Sequence, residues 1–209
     1  MFVMDFIEKV GQLGIFSIAD IEIFYPNFDK RRLFEWKNKG YITKIRNEWY
    51  CLPEFFEESY SSWIIANLVH APSYISLESA LNYYGLIPEG VFMTTSVTTK
   101  RPLRIAMAGH SYSYSYLKLA LYSGYRLIGA DRYQRKIRIA DFEKAIVDFF
   151  YFHANYKTIK AISELRFNEP VLRENLDIDR LSQYLEHFNN KELEVRVSKM
   201  LKIYTDAQL

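Results

Sequence analysis

The sequence predicts an α+β protein in which a small N-terminal domain of helices and one hairpin precedes a larger mixed α/β domain that ends in helices. Three observations support this prediction. Apolar residues recur at helical spacing near the N-terminus, and a basic helical segment then stops at Gly40 and runs into two β-like segments. Residues 91–140 are rich in Thr, Val, Tyr and Ile, and helical periodicity returns at Asp141. We expect domains of residues 1–58 and 59–209.

Two short helices are expected first. The first is an amphipathic helix that breaks at Gly14. The apolar face of this first helix comprises Val3, Phe6, Ile7, Val10 and Leu13. The second helix begins at Ser17, whose hydroxyl is a good N-cap, and ends at Pro26.

A third, basic helix and a hairpin follow. We expect Asn27 to cap this helix, Trp36 to face inward, and Gly40 to supply the left-handed residue that ends it. Strands are expected over residues 41–45 and 49–52. Three helices followed by a two-stranded hairpin have the order of a winged helix-turn-helix, which binds DNA.

Positive charge is concentrated on this third helix and hairpin. Residues 27–46 hold 7 basic and 2 acidic side chains, although the whole chain has a net charge of only +2. Such a local patch can neutralise DNA phosphates. The expected DNA-binding residues are Asn27, Lys30, Arg31, Arg32, Lys37, Asn38, Lys39, Lys44, Arg46 and Asn47. Lys30 and Asn38 are the candidate base readers, and the hairpin cations are expected on the backbone or in the minor groove.

A connecting helix is expected over residues 53–70, across the boundary between the two domains. A helix capped by Ser76 follows and stops at Gly85. The β-rich middle covers residues 91–140, and the helical end covers residues 141–209. Within that end, Asp141 starts a helix whose Glu143 and Lys144 are expected at the solvent edge, and two or three further helices follow, separated near residues 168–170 and 189–190.

The middle of the chain is also basic. Residues 71–140 carry 9 basic and 3 acidic side chains. Lys100, Arg101 and Arg104 are therefore candidate secondary nucleic-acid contacts. The alternating Tyr112, Tyr114 and Tyr116 either stack bases or cover a core. If this segment extends the DNA footprint, an isolated N-terminal domain should bind more weakly and with a shallower salt dependence.

The sequence favours no catalytic, metal-binding or cofactor-binding residues. The four histidines are far apart, and no phosphate-binding glycine loop or nucleophile elbow is present. The stretch Asp141-Phe-Glu-Lys144 resembles a fragment of a nuclease site, but its spacing is compressed and an acidic helix start explains it. The single Cys51 is expected to pack in a core. The acidic N-terminus and the lack of a long apolar run favour an unanchored cytoplasmic protein.

Three segments together resemble the AbiEi family, the antitoxins of type IV toxin-antitoxin (abortive infection) systems. The first is the N-terminal winged helix, which ends in Arg31-Arg-Leu-Phe-Glu-Trp-Lys-Asn-Lys-Gly-Tyr-Ile42. The second is Pro72-Ser-Tyr-Ile-Ser-Leu-Glu-Ser-Ala-Leu-Asn-Tyr-Tyr-Gly-Leu-Ile-Pro88. The third is Ile137-Arg-Ile-Ala-Asp-Phe-Glu-Lys-Ala-Ile-Val-Asp148. The resemblance covers about residues 5–152.

The resemblance implies a bacterial phage-defence protein that represses its own operon by binding inverted repeats in the promoter. It further implies antagonism of a nucleotidyltransferase-like toxin without a stable complex between the two proteins. Pairing of two copies on an inverted repeat is compatible with it. One alternative is a stand-alone winged-helix regulator whose second domain senses a small ligand. A second is a nuclease that the winged domain delivers to DNA.

Overall fold

The structure is a computed structural model that describes residues 3–88, 90–129, 132–133 and 135–205. It is a mixed α+β protein with helices and sheets, so the coarse fold class is confirmed. The helices are α1 Val3–Lys9, α2 Ile18–Phe24, α3 Arg31–Asn38, α4 Ser61–Val69, α5 Leu77–Tyr83, α6 Phe142–Phe152, α7 Ile159–Ser163, α8 Glu169–Asn175, α9 Ile178–Phe188 and α10 Lys191–Tyr204. The strands are β1 Ile15–Ser17, β2 Thr43–Arg46, β3 Trp49–Cys51, β4 Ser73–Ile75, β5 Met93–Thr98, β6 Leu103–Met107, β7 His110–Tyr116, β8 Tyr125–Gly129 and β9 Lys136–Ala140. None of the described helices is both long enough and apolar enough to span a lipid bilayer.

The N-terminal residues form three helices and a three-stranded antiparallel sheet of order β1-β3-β2. Ser17 caps α2 as expected, and Asp20 completes a capping box by accepting from the Ser17 backbone N–H at 2.7 Å. The helices enclose an aromatic core in which the rings of Phe6 and Trp36 are 4.6 Å apart. This packing fixes which face of α3 points outward.

Three details of this unit differ from the sequence-based predictions. The first helix ends at Lys9, and a separate 3-10 turn over Gly11–Leu13 precedes the break. Asn27 does not cap α3. It has a positive φ of 64°, and Asp29 accepts the Arg31 backbone N–H instead, at 3.1 Å. The third difference is β1, which was not anticipated because its three residues are too few to show alternation.

A second sheet of six strands, in the order β6-β7-β5-β4-β9-β8, organises the rest of the chain. The five strands between residues 93 and 140 confirm the predicted β-rich middle. Its central strand β4 was missed, since all three of its residues are buried and no polar residue alternates with them. β4 runs antiparallel to β5 and parallel to β9, where Ile75 lies opposite Ile139.

The helical segments around this sheet are more broken than predicted. The connecting helix is two pieces, a 3-10 turn over Pro53–Glu57 and then α4. Four helices follow α6, because polar N-caps start a new helix at Thr158, Asn168, Asp177 and Asn190. Each of these side chains accepts a backbone N–H of the helix that it starts.

A buried polar cluster lies where β4 meets α6, and it corrects two expectations. Ser76 stands at the N-cap position of α5, but its hydroxyl donates to Asp148 at 2.8 Å and does not cap the helix. Lys144 is fully buried, not at the solvent edge, and pairs with Asp148. The Lys144 ammonium also donates to the Tyr74 hydroxyl at 2.8 Å, and that hydroxyl donates to Asp148. We call these four residues the buried polar cluster.

The N-terminal unit and the large sheet share one core. Ile15, Ile45 and Cys51 lie on the sheet face that packs against the rest of the chain. Burial raises the pKa of Cys51 to about 12, as expected for a packed thiol. Arg135 donates to the backbone carbonyls of Leu13 and Ile15, the latter at 2.7 Å. The shared apolar core and the Arg135 hydrogen bonds together hold the N-terminal unit against the second sheet.

Candidate nucleic-acid interface

The outer face of α3 carries polar and basic side chains on a helix whose other face is fixed in the core. Leu33 and Trp36 are buried. Lys37, Asn38 and Lys39 are exposed at the C-terminal end of the helix. Gly40, with φ of 76°, then ends the helix and turns the chain toward the hairpin. The helix therefore presents cations and an amide at the end nearest the hairpin.

The basic residues Lys30 and Arg31 at the start of α3 form ion pairs with acidic side chains. The Lys30 ammonium lies 3.2 Å from a carboxylate oxygen of Glu22. The Arg31 guanidinium binds both carboxylate oxygens of Asp29, with Nη2 at 3.0 Å from Oδ2. Bidentate contact with Asp29 uses the same guanidinium edge that would read a guanine. Among the two expected base readers, Asn38 therefore stays the better placed.

The β2–β3 hairpin carries the other expected contacts. Lys44 is exposed and its ammonium lies 5.9 Å from the centre of the Tyr50 ring. Asn47 forms the turn with φ of 48°, a conformation that Asn tolerates well. The backbone N–H of Ile18 donates to the Glu48 carbonyl at 3.0 Å, which ties the turn to the start of α2.

The hairpin also lies beside the turn between β5 and β6. Burial chiefly lowers the pKa of His70; the hydrogen bond with the Arg101 carbonyl raises it, and the charges of Lys100 and Arg46 lower it further. The ring contacts Tyr114 with centroids 4.6 Å apart, and its Nε2 lies 3.2 Å from the Arg101 carbonyl. Arg101 of the β5–β6 turn thus contacts His70, and the charges of Arg46 and Lys100 reach the same imidazole. We call these four residues the His70 junction.

Arg104 is not part of the His70 junction. It lies opposite Ser113 in the β6–β7 register, whereas Tyr112 and Tyr114 point to the other, buried face. Those two tyrosines cover the core and cannot stack bases. Only Tyr116 of the aromatic stripe is exposed.

The Asp141, Glu143 and Lys144 side chains do not form one site, because Asp141 and Glu143 line a cleft whereas Lys144 lies in the buried polar cluster. Asp141 accepts the Lys144 backbone N–H and the Tyr184 hydroxyl. Glu143 is buried, against the sequence-based expectation, and accepts the Asp177 backbone N–H at 2.9 Å. Burial raises the pKa of Glu143. The resemblance to a nuclease site therefore has no counterpart in the geometry of these three groups.

The sequence-based reasoning missed one residue of this interface. Phe34 lies in the middle of α3 and is 68% exposed. A signal was available, since Phe34 falls outside the face that Leu33 and Trp36 define at 100° per residue.

Comparisons with protein-family models and with curated proteins give no match to this chain.

Proposed function

We propose that this protein binds duplex DNA, with its N-terminal helices and hairpin acting as a winged helix-turn-helix. In this proposal α3 enters the major groove and the β2–β3 hairpin is the wing on the adjacent backbone or minor groove. The observation that carries it is the outer face of α3, which exposes Lys37, Asn38 and Lys39 and leads through Gly40 directly into the basic hairpin.

The side chains divide by chemistry into phosphate contacts and a base reader. Lys37, Lys39 and Lys44 are exposed ammonium groups, which suit phosphate neutralisation. Asn38 offers an amide that can pair with the N6 and N7 edge of adenine. Arg31, held by Asp29, has a fixed guanidinium that can still approach a phosphate.

The His70 junction extends the proposed DNA surface beyond the winged unit. Arg46 of the wing and Lys100 of the β5–β6 turn both act on the same imidazole. Lys100 and Arg101 are exposed. A duplex that lies along the wing therefore meets cations from both parts of the chain.

The biological role that we propose is autorepression and antitoxicity in a type IV toxin-antitoxin operon, at inverted repeats in the promoter. In this role the protein antagonises a nucleotidyltransferase-like toxin without a stable complex. The resemblance of three segments to the AbiEi antitoxins supports it. Two of those segments meet in the fold, where β4 pairs with β9 and the buried polar cluster joins Tyr74 and Ser76 to α6. The residues of these two segments thus make contacts that hold the domain together.

The test of DNA binding is a gel-shift titration against the DNA upstream of the gene, at two salt concentrations, with an unrelated duplex as competitor. We expect tight, salt-sensitive preference for the upstream DNA. In Lys37→Ala/Lys39→Ala, the slope of log affinity against log salt should fall by about 0.9 for each phosphate that is no longer neutralised. The charge-matched control is Lys160→Ala/Lys202→Ala, which removes two exposed lysines of the C-terminal helices. Equal binding of all three proteins would contradict this interface.

The antitoxin role has a separate test. The protein should restore growth when expressed with the toxin encoded beside it, and affinity purification should not retain the toxin. Growth restored by the Lys37→Ala/Lys39→Ala variant as well would separate antitoxicity from DNA binding. No restoration by the wild-type protein would exclude the antitoxin role and leave the DNA-binding proposal standing.

A second candidate function is a regulator that senses a small ligand. A cleft of about 440 Å³ is lined by Arg126 and Arg180 together with Asp141 and Glu143. Charges of both signs suit a zwitterion such as an amino acid. Release of upstream DNA by such a compound, and loss of that response in Arg126→Ala, would favour this function over the antitoxin.

A further inference from the structure

Phe34 is an aromatic side chain with no role in the core of the N-terminal unit. The other aromatic residue of α3, Trp36, packs on Phe6 and on Phe28, with ring centroids 4.6 Å and 5.8 Å away. Phe34 lies two residues earlier, is 68% exposed, and points away from that core. Folding therefore gains little from its phenyl ring.

The neighbours of Phe34 place it in the proposed groove-facing surface. Arg31 and Asn38 lie three residues before it and four residues after it, which puts all three on one stripe of the helix. Asn38 is exposed at the far end of this stripe, and Arg31 is held at the near end by Asp29. Phe34 is thus the apolar centre between a positioned cation and an exposed amide.

The major groove offers one apolar group to such a side chain, the 5-methyl of thymine. We propose that Phe34 is a specificity-determining residue that packs on a thymine methyl group. This inference rests on the proposed DNA-binding function. Asn38, one helical turn further on, reads the N6 and N7 edge of a nearby adenine. The bound half-site therefore contains A·T pairs under the centre and the C-terminal end of α3.

The experiment replaces thymine with deoxyuridine, which removes only the methyl group. The duplex is the upstream DNA. Nuclease footprinting first locates the half-sites that the protein protects, and the thymines within each half-site are then replaced one at a time. We expect one replacement to weaken wild-type binding by about fourfold, the factor that corresponds to burying one methyl group. Phe34→Ala should weaken binding to the thymine duplex by at least that factor and then show no further loss with deoxyuridine.

The matched control is Phe24→Ala, which removes an exposed phenyl ring from α2 and not from α3. It should keep the fourfold response to deoxyuridine. Thermal melting of both variants checks that folding is unchanged. The inference is overturned if the wild-type protein prefers the upstream DNA but responds to no replacement, or if Phe34→Ala keeps the full response. Absence of any preference for the upstream DNA would instead overturn the proposed function, and this inference with it.

Discussion

At the scale of single residues, the buried polar cluster places two charged groups inside the core. Lys144 and Asp148 are both fully buried. Asp148 accepts from the Tyr74 and Ser76 hydroxyls, and the Lys144 ammonium donates to Asp148 and to the Tyr74 hydroxyl. Removing one partner of a buried ion pair leaves a buried charge without compensation. The cluster thus makes the junction of β4 and α6 intolerant of single changes.

Asp148→Ala should lower the free energy of unfolding by about 3–5 kcal/mol, because the Lys144 ammonium loses its counter-charge. Replacing the pair together, as Lys144→Met/Asp148→Leu, should recover much of that loss. Urea unfolding measures both. The control is Lys9→Ala, which breaks a lysine-aspartate pair of the same spacing whose side chains are 54% and 42% exposed. That change should cost far less than Asp148→Ala, because solvent screens an exposed pair. A similar cost for the two changes would contradict this prediction.

A second residue-scale prediction concerns His153 and Glu78, whose side chains meet at 3.1 Å. Burial alone would lower the pKa of His153, but the hydrogen bond and charge of Glu78 outweigh it and the pKa is raised. The contribution of the pair is therefore complete below the ordinary pKa of 6.5 and is lost as pH rises through the raised pKa. Because both groups are about one-third exposed, we expect roughly 0.5 kcal/mol.

The measurement is the free energy of unfolding as a function of pH, for wild type, Glu78→Gln and His153→Gln. Both variants should lose the decline above pH 6.5 that we expect of the wild type. An unchanged pH profile in either variant would show that this pair does not contribute.

At the scale of elements, two glycines with positive φ test how tightly the N-terminal unit is held. Gly14 and Gly40 have φ of 68° and 76°. A Cβ on Gly14 would lie 2.6 Å from the Tyr133 ring, whereas one on Gly40 would meet nothing within 4 Å. Gly40→Ala should therefore cost about 1–2 kcal/mol for φ alone. Gly14→Ala should cost roughly 3 kcal/mol, since overlap with the Tyr133 ring adds to the strain of a positive φ.

Thermal or urea unfolding of the two variants gives the comparison. Equal losses would mean that Tyr133 moves aside freely and that the contact between the unit and the rest of the chain is loose.

The elements that the sequence predicted are those with local signals. Ser17 and Asp141 cap helices as expected, and Gly40 ends α3. The missed strands, β1 and β4, have three residues each, and only pairing with distant strands defines them. The burial of Lys144 could not be predicted, because its partner Tyr74 lies 70 residues away in the chain. The sequence identified the cations of the candidate site. It did not reveal that Glu22 and Asp29 form ion pairs with Lys30 and Arg31.

At the scale of the whole molecule, the shared core changes how the proposed DNA surface should be tested. Ile15, Ile45 and Cys51 would be exposed in an isolated fragment of residues 1–58. Weaker DNA binding by that fragment could then reflect loss of folding as well as loss of cations. Charge changes in the full chain separate these two effects.

We expect Lys100→Ala/Arg101→Ala to weaken binding to all duplexes alike, because phosphate contacts carry no sequence information. The slope of log affinity against log salt should fall by about 0.9 to 1.8, for one or two phosphates that are no longer neutralised. Arg104→Ala is the control: Arg104 lies on the sheet face opposite to Tyr114, which contacts His70 of the junction. If Arg104→Ala lowers the slope equally, the footprint lies on the outer sheet face and not at the His70 junction. If neither variant changes the slope, the winged unit contacts DNA alone, and the basic middle of the chain serves another partner.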